Sequence, residues 1–120
     1  METIELKIFN IVGSHLCIEA EDGHKVNALI KKGFEEGKKI TLSFQNVDMI
    51  TTAFLNTAIG QLYRDYSEEK IKSSLEVVKI EKDDANRIKR VTDTAKAFYK
   101  DREGQLKRSI DVILGEDNDE

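Results

Sequence analysis

Apolar and polar side chains alternate along four short stretches of the chain, which predicts four strands. The clearest case is residues 40–45, where Ile, Leu and Phe alternate with Thr, Ser and Gln. This period of two places successive side chains on opposite faces of a strand. The same period predicts strands over residues 3–11, 15–20 and 75–80. Because the turn residues Gly13 and Ser14 separate the first two strands, we expect these to form an N-terminal antiparallel hairpin.

Apolar side chains at three- and four-residue spacing predict three helices. The helices cover about residues 22–37, 52–66 and 83–102. Residues 67–74 are a predicted polar connection, and residues 110–114 are a short apolar segment that fits a strand or a helical turn. Strands that alternate with helices imply right-handed crossovers and parallel pairing. We therefore predict an α/β fold with a mixed central sheet of about four or five strands, the antiparallel hairpin at its N-terminal edge, and helices packed on the sheet.

Composition and charge limit the classes of protein that the chain can represent. We assign residues 1–115 to a single domain and residues 116–120, which carry four carboxylates, to a disordered acidic tail. The net charge is -4 and the basic residues are interspersed with acidic ones, which argues against nucleic-acid binding. No apolar run approaches the length of a membrane span, and the first residues are too acidic for a signal peptide. Since the single cysteine, Cys17, cannot form an internal disulfide, we expect a cytoplasmic protein.

Residues that support catalysis or metal binding are scarce. His15 and His24 fall in different segments without cysteine or carboxylate ligands at metal-site spacing. Cys17 lies in an alternating strand, where a packing role is typical. The chain has neither a Gly-x-Ser-x-Gly nucleophile motif nor a glycine-rich phosphate loop. We therefore expect no metal, no cofactor and no enzymatic activity.

The candidate functional surface is the loop between the predicted central strand and the helix that follows it. Loops at the carboxyl ends of parallel strands meet at one edge of a sheet, so residues 46–52 and 20–24 are expected to lie side by side. The candidate partner-binding residues at this edge are Asp22, Asn46, Asp48, Thr51, Thr52 and Leu55. Either threonine can cap the helix. Alternatively, one of them, and Thr52 before Thr51, accepts a phosphate that the helix dipole and free N–H groups would stabilise.

The segment Leu42–Phe54 resembles the central segment of STAS domains, which are the anti-sigma-factor antagonists and their transporter-linked relatives. The closer match is a bacterial STAS-like family of unknown function. That family has a Ser/Thr-rich loop followed by a helix of the kind that begins here with Thr52-Ala53-Phe54-Leu55-Asn56. The resemblance covers roughly residues 20–102 and is most specific over Val47–Tyr63.

This resemblance implies a STAS-type fold and a protein partner, because members of the STAS-like family are often associated with a histidine-kinase-like ATP-binding protein. In the motif of the antagonists, the acidic residue falls on Thr51 and the first hydroxyl residue on Thr52. The phosphoacceptor falls on Ala53, which cannot be phosphorylated, and the glycine falls on Phe54. A shift of one residue is therefore needed for Thr52 to be the acceptor.

Two functions from different classes remain open. The first is a non-enzymatic signalling module that binds a protein through the loop and helix start described above. The second is a small-anion or nucleotide sensor that uses the free N–H groups at the same helix N-terminus. The sequence leaves the identity of the partner and the oligomeric state open.

Overall fold

Two small parallel sheets organise the fold in the computed structural model, which describes the backbone of residues 2–113 and the side chains of residues 2–100. The main sheet has three strands in the order β1-β3-β5, with β3 in the centre. The second sheet pairs β2 with β4. The strands are β1 (Thr3–Lys7), β2 (Leu16–Cys17), β3 (Lys39–Ser43), β4 (Met49–Ile50) and β5 (Leu75–Val78). The α/β class with parallel strands is therefore confirmed.

The predicted N-terminal hairpin is wrong, because a short helix follows β1. Residues Ile8–Val12 form helix α1 instead of continuing the strand. Gly13 ends this helix in the left-handed conformation, with φ of 79°, and its N–H donates to the carbonyl of Phe9 at 2.9 Å. The chain then enters β2, which belongs to the other sheet. Within residues 2–113 all strand pairs are parallel, so the sheets are not of the mixed type that we predicted.

Helix α2 (Ala20–Glu35) agrees with the predicted first helix and packs against β3 and the helix that follows β4. It begins two residues before the predicted start at Asp22, with Glu19 as its N-cap residue. Just after the end of α2, Gly37 adopts the left-handed conformation, with φ of 74°. The N–H of Lys38 then donates to the carbonyl of Gly33 at 2.9 Å. This arrangement turns the chain into β3, as the glycine position predicted.

The predicted second helix is a single helical run over residues 52–65, which we call the central helix. It consists of α3 (Thr52–Leu55), a π-helical segment (Asn56–Gly60) and α4 (Leu62–Asp65). In the π-helical segment the N–H of Gln61 donates to the carbonyl of Asn56 at 3.0 Å, five positions earlier. The central helix packs between α2 and the last helix.

Two predicted boundaries after the central helix are wrong. The polar connection is helix α5 (Glu68–Ser74), whose N-cap Ser67 accepts a hydrogen bond from the N–H of Lys70 at 3.1 Å. Helix α6 (Lys82–Ile113) extends well beyond the predicted end near residue 102 and includes most of the short apolar segment that begins at residue 110. The predicted acidic tail, residues 116–120, lies outside the described residues. Of the helices within residues 2–113, none is both long and apolar enough to cross a lipid bilayer.

One hydrophobic core joins the two sheets to the helices. The sequence predicts that six apolar side chains between residues 44 and 62 are mostly buried; five of them are, and Val47 is half-buried at the edge of the core. The buried members of this set are Phe44, Ile50, Leu55, Ile59 and Leu62. Val91 and Ala95 of α6 are also buried, where they cover the central helix at Gly60. The start of the central helix is therefore held on a packed framework.

Candidate functional site

The loop after β3 is fixed to the segment before β2. The N–H groups of Asp48 and Met49 both donate to the carbonyl of His15, at 2.8 and 3.3 Å. The side chains of His15 and Asp48 also meet, with 2.8 Å between Nδ1 and Oδ2. Asn46, which is exposed, turns the chain with φ of 68°, a conformation that asparagine tolerates better than most residues. Residues 46–50 therefore form a defined surface.

Thr51 is the N-cap of the central helix, which decides between the two predicted caps. Its Oγ1 accepts a hydrogen bond from the N–H of Phe54 at 3.1 Å. The same hydroxyl donates to the carbonyl of Ile18, and the N–H of Thr51 donates to the carbonyl of Cys17 at 3.1 Å. The Thr51 hydroxyl thus ties the helix start to the segment that follows β2.

Thr52 is the first residue of the central helix and is exposed. It lines a groove of about 200 Å³ between the central helix and α6. The opposite wall of this groove carries two arginines, Arg87 and Arg90. No sequence pattern indicated these two arginines as part of the candidate site, because they lie far along the chain and outside the apolar face of α6.

The start of α2 lies against the central helix at Phe54 and Thr57, whereas the sheet-edge argument predicted that residues 20–24 lie beside residues 46–52. The Oγ1 of Thr57 donates to the carbonyl of Ala20 at 3.1 Å across this contact. Asp22 is half-buried in the first turn of α2, with 3.4 Å between its Oδ1 and the Nζ of Lys25. Leu55 belongs to the core and has no exposed area, so it cannot contribute to a contact surface.

An exposed apolar patch lies beside these polar residues. Leu16 and Met49 are register partners in the second sheet, and their exposed fractions are 39% and 50%. Ile18, which follows β2, is exposed to the same extent as Leu16. We call Leu16, Ile18 and Met49 the apolar patch. Alternation along residues 15–20 predicts Leu16 and Ile18 on one face of the strand and Cys17 on the other. In the structure Cys17 is buried, whereas Leu16 and Ile18 are exposed.

The cysteine next to the patch does not have a reactive thiol. Burial, with a smaller contribution from the negative charge of Asp22, raises the pKa of Cys17 to about 11. The thiol is therefore protonated near neutral pH and is a poor nucleophile. No three His, Cys, Asp or Glu side chains in the part of the chain that the structure describes are grouped closely enough to hold a metal ion.

The fold and this surface define a small α/β domain of the STAS-like class. Residues 22–85 match the family model of the STAS-like domain of unknown function (DUF4325), which is more than half of the chain. The chain belongs to this family. The matched segment runs from the first turn of α2 to the first turn of α6 and so contains the loop, Thr51 and Thr52. No curated protein and no solved structure matches the chain.

Proposed function

We propose that this protein is a non-enzymatic bacterial signalling module of the cytoplasm that binds a protein partner. The binding surface consists of the apolar patch and the polar residues around it, namely Asp22, Asn46, Asp48, Thr51 and Thr52. Membership of the STAS-like family favours a histidine-kinase-like ATP-binding protein as the partner, because members of that family are often associated with one. The observation that carries the proposal is the exposed pair Leu16 and Met49 directly beside the capped helix start.

The composition of this surface suits protein recognition. Exposed apolar side chains surrounded by polar groups are typical of the centre and rim of protein interfaces. Main-chain hydrogen bonds hold both strands of the patch, and the Thr51 hydroxyl holds the adjoining helix start. A surface that is already ordered loses little conformational freedom on binding, which favours affinity.

The test of the binding surface is a charge placed in the patch. We would capture the partner from the native host with the wild-type protein, identify it by mass spectrometry, and measure its affinity for purified variants. Met49→Lys is expected to weaken binding by about tenfold or more, which corresponds to about 1.4 kcal/mol. The matched control is Leu29→Lys, because Leu29 on α2 has an exposed fraction of 38% but lies outside the patch. Equal affinity of the two variants would contradict the proposal.

The proposed regulation is phosphorylation of Thr52. The hydroxyl of Thr51 already forms two hydrogen bonds, whereas Thr52 is exposed beside the patch. A negative charge in the first turn is favoured by the helix dipole by about 0.3–1 kcal/mol, so Thr52→Glu is expected to fold normally. It is also expected to lose partner binding while Thr52→Ala keeps it. If only Thr51→Glu weakens binding, the assignment to Thr52 is wrong.

The alternative is a sensor of a small anion or nucleotide, and the arginines across from Thr52 favour it. A ligand that binds only the folded protein raises the melting temperature by mass action. A concentration-dependent shift with nucleotides, in a protein that captures no partner, would support the sensor over the interaction module.

A further inference from the structure

The groove between Thr52 and α6 is positively charged. It is lined by Thr52, Asn56, Arg87, Arg90, Val91 and Thr94, none of which carries a carboxylate. Arg87 and Arg90 are three positions apart in α6, so they lie on one face of that helix. Asn56 and Thr94 add neutral groups that can donate hydrogen bonds to an anion.

Arg87 has an unused hydrogen-bond donor at this groove. Its Nε is shielded from solvent and has no hydrogen-bond partner among the residues that the structure describes. Within residues 2–100, neither Arg87 nor Arg90 forms an ion pair with a carboxylate. Buried donors normally have an acceptor, so Arg87 is a residue of the groove lining with an unmet hydrogen bond. The acceptor that suits two guanidinium groups is an oxyanion.

We propose that the groove is a receptor for a phosphate monoester and that the phosphate is carried by Thr52 itself. The inference rests on the proposed phosphorylation of Thr52, in which an ATP-dependent kinase transfers the γ-phosphoryl group to the hydroxyl and ADP leaves. A phosphate adds a charge of about -1.5 to -2 and three acceptor oxygens, which matches two guanidinium groups across a small groove. The docked phosphate ties the start of the central helix to α6. Phosphorylation therefore stabilises the folded domain as well as altering the surface next to the apolar patch.

The experiment compares the protein bearing phosphothreonine at position 52 with the unmodified protein, both without a partner. Phosphorylation is expected to raise the melting temperature by about 2–8 °C, the range of shifts that a modest gain in stability gives domains of about 60–250 residues. Arg87→Gln with Arg90→Gln is expected to remove this rise. The control, Lys32→Gln with Lys72→Gln, removes the same charge from exposed positions on α2 and α5 and is expected to retain it.

A second arm identifies the source of the phosphate. The unmodified protein is titrated with inorganic phosphate at constant ionic strength, and backbone amide shifts are followed by NMR. Saturable shifts at Thr52, Asn56 and Arg90 that vanish in the double arginine variant support the receptor. If they occur without stabilisation of the phosphothreonine protein, they assign the phosphate to a free ligand instead of Thr52. Failure of both arms overturns the inference, whereas the proposed partner binding is tested separately and fails if Met49→Lys binds the partner as tightly as Leu29→Lys.

Discussion

At the scale of single residues, Gly23 of α2 and Gly60 of the central helix have opposite surroundings. A Cβ atom at Gly23 would lie 1.8 Å from the Oγ1 of Thr57 and 2.5 Å from the carbonyl oxygen of Phe54. The Phe54 oxygen belongs to the backbone of a packed helix, so it can move away only if the helix itself shifts. At Gly60 the nearest atoms are ordinary contacts, 3.6 Å away on Ala95 and Val91.

The two glycines therefore predict opposite effects of the same substitution. Gly23→Ala is expected to lower the free energy of unfolding by about 1–3 kcal/mol, because α2 must separate from the central helix. Gly60→Ala is expected to raise it by about 0.4–1 kcal/mol, because alanine restricts the unfolded chain and fits the available space. Urea denaturation of both variants measures these changes. A loss at Gly60 equal to that at Gly23 would contradict the packing described here.

Cys17 predicts a dependence of stability on alkaline pH. Burial raises the pKa of its thiol from 9.0 to about 11, so the folded state holds this proton more tightly than the unfolded state. The contribution to stability is therefore complete below pH 9 and is lost as the pH rises towards 11. The free energy of unfolding of the wild type relative to Cys17→Ala should fall over this range. A constant difference between the two proteins would contradict the burial of the thiol.

At the scale of secondary-structure elements, the central helix depends on one hydroxyl at its start. Thr51→Ala removes the cap and the hydrogen bond to Ile18, and is expected to cost about 1–2 kcal/mol. Thr52→Ala, one position later, is expected to change the free energy of unfolding by less than about 0.5 kcal/mol, because Thr52 is exposed. Equilibrium unfolding in urea distinguishes the two. Equal losses would show that Thr52 shares the capping role.

The elements that the sequence predicted well are those with long, regular patterns. Helix α2, the central helix and β3 each have a long, regular spacing of buried apolar residues, so their apolar period was sufficient. Helix α1 was missed because five residues of mostly apolar character, Ile8–Val12, satisfy a strand or a helix, and only tertiary packing decides. For α5, a usable signal was present in Ser67 followed by two glutamates, a typical helix start.

The candidate site was predictable only in part, for a related reason. The loop motif located Thr51 and Thr52, and the start of α2 packs on the same helix further along, at Phe54 and Thr57. The exposure of Leu16 and Met49 was not predictable, because it depends on the pairing of two strands of two residues each. Arg87 and Arg90 were missed because a helical period identifies the apolar face and gives no information on which polar residues meet another element.

At the scale of the whole molecule, every strand pair joins distant parts of the chain. Thr3 pairs with Lys39, Leu16 with Met49, and Ile40 with Leu75. Each ladder therefore closes a loop of about 35 residues before its first interstrand hydrogen bond forms. In the described part of the chain, no hairpin offers a local beginning for either sheet.

This topology determines how the protein is expected to fold. Contacts between distant residues slow the search for the native state, so refolding should take milliseconds or longer. The chain contains no proline, so the slow isomerisation that commonly delays refolding is absent. Stopped-flow refolding should show one kinetic phase that a prolyl isomerase does not accelerate. In this protein the time needed to fold is then a direct measure of the time needed to bring β1, β3 and β5 together.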